Sequence, residues 1–222
     1  MNFSFCIITD GSIAAKERIK LTIQTIESLN IPNYEILCIG GQDGFEDIKS
    51  PNFKKFAFDE TIKPAWITKK KNEIVKLTKY ENLVLFHDYF VFKQDWYTGY
   101  KILDEKNVKW DIACNPILMI NNARDYTDWV TWDHPEHGRQ KSISYNNWSM
   151  TEHQYISGGY FLVKKQFMID NPFNEELVAN QEEDVEWSLR VRNKATIICN
   201  SLSIVQHTKW HRSMTIQPTH VG

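Results

Sequence analysis

Three short stretches concentrate the side chains best able to do chemistry. Glu182-Glu183-Asp184-Val185-Glu186 places consecutive acids ahead of Leu189, Arg190 and Arg192 in a segment with helical character. Acids in a first helical turn are favoured by the helix dipole, which accounts for one or two of them. Crowded carboxylates also repel one another's charge, and that raises at least one pKa toward a value useful to a general base. His87-Asp88-Tyr89 directly follows the apolar run Val84-Leu85-Phe86. A carboxylate there can hold a divalent cation against a diphosphate, or it can simply form a turn. Gln206-His207-Thr208-Lys209-Trp210-His211-Arg212 packs two imidazoles and two cations close together. Neutral imidazole can complete a metal shell and the cations can pair with phosphate oxygens; a solvated tail is the plainer alternative.

Two further stretches are candidates for ligand contact. Ser157-Gly158-Gly159 interrupts an aromatic, β-like segment, where glycine permits either close backbone approach to a ligand or a bulge. Lys69-Lys70-Lys71-Asn72 opens an amphipathic segment and is either its exposed face or a source of one phosphate-binding lysine.

These residues need elements to position them, and the spacing supplies a pattern. Residues 3–9 form an apolar run ending in Asp10-Gly11-Ser12, followed by Ile19, Ile23, Ile26 and Leu29 at near-helical spacing. Residues 34–39, closed by Gly40-Gly41, and residues 53–58 read as strands. Residues 68–80 read as a helix capped by Thr68, and residues 83–86 as a short strand. Strands alternating with helices predict an α/β fold with a mostly parallel central sheet and helices on both faces. Ligands in such sheets sit beyond the carboxyl ends of the strands, so Asp10, residues 41–43 and His87-Asp88 should meet in one crevice.

Beyond this half, residues 110–120 read as strand. Residues 121–154 read as a long functional loop carrying Tyr126, Trp129, Trp132, Tyr145 and Trp148. Residues 155–163 give an interrupted strand, 182–192 a helix and 195–205 further strand. The 222 residues suit one compact domain, with no repeat or linker. With a formal charge of -2 and no long single-sign block, nothing suggests nonspecific nucleic-acid binding or a polybasic membrane anchor. No run of about 18 apolar residues occurs, which predicts no transmembrane segment. The start lacks a basic region and cleavage site, and Cys6, Cys38, Cys114 and Cys199 lack metal-site spacing. A cytoplasmic protein with buried thiols is expected.

Taken in order, IITDGS, KKKN, LVLFHDYFVFKQDWY, ISGGYFLVKKQF, PFNEEL and EEDVEWSLRVR resemble the GT-A fold glycosyltransferases, in particular their family-2-like inverting group. The resemblance spans residues 3 to about 212 and implies a single Rossmann-like GT-A domain. Residues 1–93 would form its nucleotide-binding half and residues 94–222 its acceptor and catalytic half. It implies transfer of a hexose from a UDP-sugar, UDP-glucose first, to a glycan or other hydroxyl-bearing acceptor. Asp184 would be the base and Glu183 an acceptor-positioning acid. Asp88 and His207 would hold Mn²⁺ or Mg²⁺. Thr9, Asp10, Gly41, Asp43, Lys71, His87, Asp88, Ser157, Gly158, Gly159, Lys209 and Arg212 would bind the nucleotide sugar. Trp129 and Trp132 would stack on the acceptor, unless they belong to the core. The motif that usually carries two or three metal-binding acids has one here, in His87-Asp88-Tyr89. That departure leaves a catalytically inactive sugar-nucleotide- or carbohydrate-binding module as the alternative. A nucleotidyltransferase fits less well, because Asp10-Gly11-Ser12-Ile13-Ala14 is poor in glycine.

Overall fold

A computed structural model describes residues 1–41 and 45–209. The chain runs β1 (Phe3–Ile8), α1 (Ile13–Glu27), β2 (Tyr34–Ile39), β3 (Phe53–Phe56), α2 (Ile67–Leu77), β4 (Asn82–His87), β5 (Phe90–Phe92) and α3 (Trp96–Glu105). It continues through β6 (Ile112–Cys114), β7 (Ile117–Leu118), β8 (Val130–His134), β9 (Gly138–Ser142) and a 3-10 turn at Thr151–His153. After that come β10 (Gln154–Tyr155), β11 (Tyr160–Lys164), α4 (Lys165–Asp170), α5 (Glu183–Val191), β12 (Ile197–Cys199) and β13 (Val205–His207).

Seven strands form the central sheet in the order β12-β6-β11-β4-β1-β2-β3. Only β11 runs against its neighbours β4 and β6, while the other pairings are parallel. Strands buried on both faces read as continuous apolar runs, and β1 does so. Its Phe3, Phe5 and Ile7 join one apolar cluster, and Cys6 and Ile8 join the cluster on the opposite face. Ser12 caps α1, its hydroxyl accepting from the Ala15 N–H at 3.2 Å.

Several expectations shift. Thr68 does not cap α2: its hydroxyl donates to the Leu177 carbonyl at 2.7 Å, and the helix starts one residue earlier without a side-chain cap. Residues 121–154 are not one loop, since β8 and β9 pair as an antiparallel hairpin joined by β10. The apolar segments at 110–120, 155–163 and 195–205 each split into two strands of different sheets, because β7 and β13 join β5 in one small sheet and β10 joins β8 and β9 in another. All four cysteines are buried free thiols, and burial pushes Cys38 up to about 12. Among the described residues no helix is long and apolar enough to cross a membrane.

The antiparallel course of β11 matters for function. Tyr160 pairs with Phe86, so the start of β11 lies beside the end of β4. Ser157-Gly158-Gly159 thereby arrives at the same sheet edge as His87-Asp88, and the His87 N–H donates to the Gly159 carbonyl at 3.0 Å.

Candidate functional site

At that edge lies a crevice of about 970 Å³. Its floor comes from the ends of β1 and β4. Backbone bonds carry the ladder past both strands, from the Thr9 N–H to the Ile39 carbonyl at 3.0 Å and from the Asp88 N–H to the Ile8 carbonyl at 3.2 Å. The Thr9 hydroxyl then donates to Asp88 Oδ2 at 2.6 Å. Gly40 is required here, because a Cβ on it would lie 1.8 Å from the Thr9 carbonyl oxygen.

Cations surround these acids. Arg18, on α1, donates through Nε and Nη2 to Asp88 Oδ1 at 3.1 and 2.7 Å. Lys70 Nζ reaches the Thr9 carbonyl at 2.9 Å and Glu60 Oε1 at 2.7 Å, and Lys209 Nζ sits 4.5 Å from the centre of the Tyr89 ring. Burial alone would raise the Asp10 carboxyl. Hydrogen bonds from Ser12 and the charges of Arg18 and Lys209 outweigh it and hold Asp10 below the usual range.

The opposite wall is the start of α5. Asp184 Oδ2 accepts from the Tyr155 hydroxyl at 2.5 Å and from the Gly158 N–H at 3.0 Å, while Oδ1 accepts from the Val185 N–H at 2.9 Å. Three donors thus fix its orientation in the first turn of the helix. A Cβ on Gly158 would lie 2.8 Å from Asp184 Cβ, so this approach needs glycine. Burial raises the Glu183 carboxyl, Asp184 adds to the rise and Lys71 opposes it. Glu182 also lines the crevice and pairs with Arg139 of β9 at 2.6 Å. None of the three acids caps the helix through its side chain in the manner of Ser12.

The metal expected from the resemblance can be tested against this donor set. Asp88 already has both oxygens bonded, to Arg18 and to Thr9. His207 is buried in β13, its Nε2 2.8 Å from Asp125 Oδ2 and its ring stacked on Tyr89 at 5.5 Å. Asp125 is held below the usual range despite its burial, by His207 and by Thr127. Among the described residues no group of three His, Cys, Asp or Glu side chains converges on one point. The arrangement as it stands does not fit Mn²⁺ or Mg²⁺ shared by Asp88 and His207.

Thr9, Asp10, His87, Asp88, Ser157, Gly158, Gly159, Glu183, Asp184, His207 and Lys209 all line the crevice, and Gly41 lies next to its floor, its N–H 3.3 Å from Glu60 Oε1. Two expectations need correction. Lys71 does not line the crevice; it is 0% exposed, has no hydrogen-bond partner for Nζ among the described residues and lies over the Phe173 ring at 4.6 Å. Lys70 is the lysine that faces the ligand space. Trp129 is also 0% exposed, with its indole N–H donating to the Asn147 carbonyl at 3.1 Å, so it offers no face to a sugar. Trp132 is half-buried, 5.5 Å from the Tyr155 ring, with the Arg139 guanidinium 4.8 Å from its own. Asp43, Trp210, His211 and Arg212 lie outside the described residues.

Arg18, Tyr155 and Asp125 belong to the site and went unrecognised in the sequence. Arg18 had a legible mark: with Ala15, Ile19 and Thr22 it stands on the inward stripe of α1, where a charged residue calls for a buried partner. Nothing local distinguished Tyr155 or Asp125.

No family model and no curated protein matches the chain by sequence. Solved structures do match by shape. Staphylococcus aureus TarS 1-349 in complex with UDP-GlcNAc superposes with a TM-score of 0.67 at 12% identity, covering 98% of this chain and 62% of that one. GalNAc-T7 with UDP, GalNAc and Mn²⁺ gives 0.64 at 13% identity, covering 100% of this chain and 46% of that one. The chain therefore spans less than two thirds of the length of either protein. With its mostly parallel seven-stranded sheet and a crevice at the strand ends, this chain has the GT-A fold of those glycosyltransferases.

Proposed function

We propose that the chain is an inverting glycosyltransferase, a hexosyltransferase that moves a sugar from a UDP-sugar to a hydroxyl of a glycan or other acceptor. One observation supports this above the others. A single crevice holds an acid oriented by three donors, Asp184, across from a floor where Arg18, Lys70 and Lys209 surround Asp10 and Asp88. The first arrangement suits proton removal from an acceptor, the second a diphosphate. The UDP-GlcNAc and UDP with GalNAc bound by the structural neighbours favour a uridine nucleotide carrying a hexose.

In this reaction Asp184 takes the proton as the acceptor oxygen attacks the anomeric carbon from the face opposite the diphosphate. Glu183 and Trp132 would orient the acceptor, and Ser157, Gly158 and Gly159 would line the donor sugar. Thr9, Asp10, Gly41, Asp43 and His87 would receive the nucleotide, with Lys209 and Arg212 near the phosphates. Stabilising the leaving charge is the largest single catalytic contribution in such chemistry. No step is routed through a metal, because Asp88 and His207 would first have to give up their present partners.

The test is nucleotide release from UDP-glucose, UDP-GlcNAc and UDP-GalNAc, with and without candidate acceptors. Asp184→Asn should lower turnover by about two to four orders of magnitude while UDP affinity stays within about twofold. Near-normal turnover in that variant would sink the assignment. A non-catalytic sugar-nucleotide-binding module is the second reading, favoured by the engagement of the lone Asp88 with Arg18. It predicts UDP-sugar binding without release by the unmodified chain.

A further inference from the structure

Arg18 differs from the basic residues beside it on α1. Lys16 and Lys20 both pair with Asp47, at 2.7 and 2.9 Å, on a more exposed flank. The Arg18 side chain is 19% exposed and places two of its nitrogens on one oxygen of Asp88, a residue 6% exposed at its own side chain. Thr9 occupies the other oxygen. The guanidinium is thus held at the carboxyl end of β4 and acts on Asp10, at the end of β1, through its charge. Its third nitrogen, Nη1, makes no hydrogen bond to the described residues.

A divalent cation entering on Asp88 would have to displace this pair and leave a largely buried arginine without its counter-ion, which is the costly way to break such a bridge. Keeping the pair costs nothing further, and it leaves a permanent positive charge facing the ligand space. A guanidinium presents planar, forked donors that match phosphate oxygens, and it holds its charge at every working pH.

We propose that Arg18, anchored by Asp88, stands in for the divalent cation: it receives the diphosphate of the donor and makes nucleotide binding and transfer independent of metal. This rests on the nucleotide-sugar reading given above. The bond from the anomeric carbon to the diphosphate oxygen breaks and its electron pair leaves on that oxygen, where Arg18 donates hydrogen bonds. The acceptor oxygen forms the new bond to the anomeric carbon, and its proton passes to Asp184. Asp88 acts as a positioning residue, holding the guanidinium while no anion is present, and Lys70 adds a second charge nearby.

Calorimetric titration of UDP into the wild type, Arg18→Gln, Arg18→Lys and Asp88→Asn, each in chelator and in excess Mn²⁺, tests this. The wild type should bind equally well in both buffers. Arg18→Gln should lose about tenfold to a hundredfold in both, as expected for charge-assisted hydrogen bonds to phosphate, and Arg18→Lys should fall between. Asp88→Asn keeps an oxygen to accept from the guanidinium but loses the ion pair, so it should weaken UDP binding in chelator less than Arg18→Gln does and gain nothing from Mn²⁺. A metal centre predicts the reverse: wild-type binding only with Mn²⁺, loss of that binding in Asp88→Asn, and unchanged affinity in Arg18→Gln. That pattern overturns the proposal and leaves the donor reading intact. No UDP binding by the wild type in either buffer overturns both. If Arg18→Gln fails to fold because Asp88 is left unpaired, Arg18→Lys and the double variant Arg18→Gln with Asp88→Asn carry the same comparison, and wild-type affinity in either refutes it.

Discussion

Lys71 is a buried cation with no hydrogen-bond partner among the described residues, and its position gives it a measurable signature. Burial lowers its pKa below the ordinary 10.5, and the nearby carboxylates of Glu183 and Asp184 only partly offset this. Between the lowered folded value and 10.5 the unfolded chain binds more protons, so this residue's contribution to stability rises with pH across that window. Urea melts at pH 7 and pH 10 should therefore show the wild type gaining on Lys71→Met as pH rises; parallel curves would contradict the burial effect. The same substitution removes the charge that restrains Glu183, so burial and Asp184 should push that carboxyl further up. Any limb of the rate profile that reports Glu183 ionisation should move to higher pH in Lys71→Met. Asp125 works in the same sense, but in the acid range. Its lowered carboxyl contributes stability that is present above the ordinary carboxylate value and fades as pH falls through the folded one.

Where α5 meets the segment before β11, two elements press so closely that only glycine fits between them. The backbone of Gly158 is not in the left-handed region, so Gly158→Ala is a steric change rather than a conformational one. The added methyl has to displace Asp184, and misplacing a reacting group by about an ångström costs on the order of a hundredfold in rate. Turnover should fall by that order while UDP affinity changes little; an unaffected kcat would show that Asp184 needs no such placement. The segment that enters and forms β8 carries the other contrast. Trp129→Ala empties a core position and should cost about 3–5 kcal/mol, or roughly 6–20 °C in Tm. Trp132→Ala should melt near the wild type and weaken acceptor use instead. Equal losses of stability in both would return Trp132 to the core.

At the scale of the whole molecule, the crevice unites chain segments from Ile8 to Lys209, so a nucleotide seated there ties distant parts of the fold together. With UDP at about a hundred times its Kd, mass action should stabilise the fold by about 2.7 kcal/mol, a Tm rise of roughly 5–11 °C. The absence of any rise at millimolar UDP would count against a nucleotide site. The general plan of this crevice was legible in the sequence, since apolar runs ending in Thr9-Asp10 and His87-Asp88 mark strands whose carboxyl ends gather ligands. The acids opening α5 were legible for a similar reason: a helix start displays its first turn. Side-chain partners were not. Lys70 and Lys71 are neighbours in the chain yet point about 100° apart on a helix, so one lines the crevice and the other is sealed beneath it. Trp129 sits at a bend one residue before β8 and is packed into the core, whereas Trp132 lies within the strand and is only half-buried. The pairing of Arg18 with Asp88 joins residues 70 positions apart. Composition and spacing determined that acids and bases would gather at the sheet edge; only tertiary packing decided that Asp88 would meet an arginine, because burial forces each charge to take whichever counter-charge the fold brings within reach.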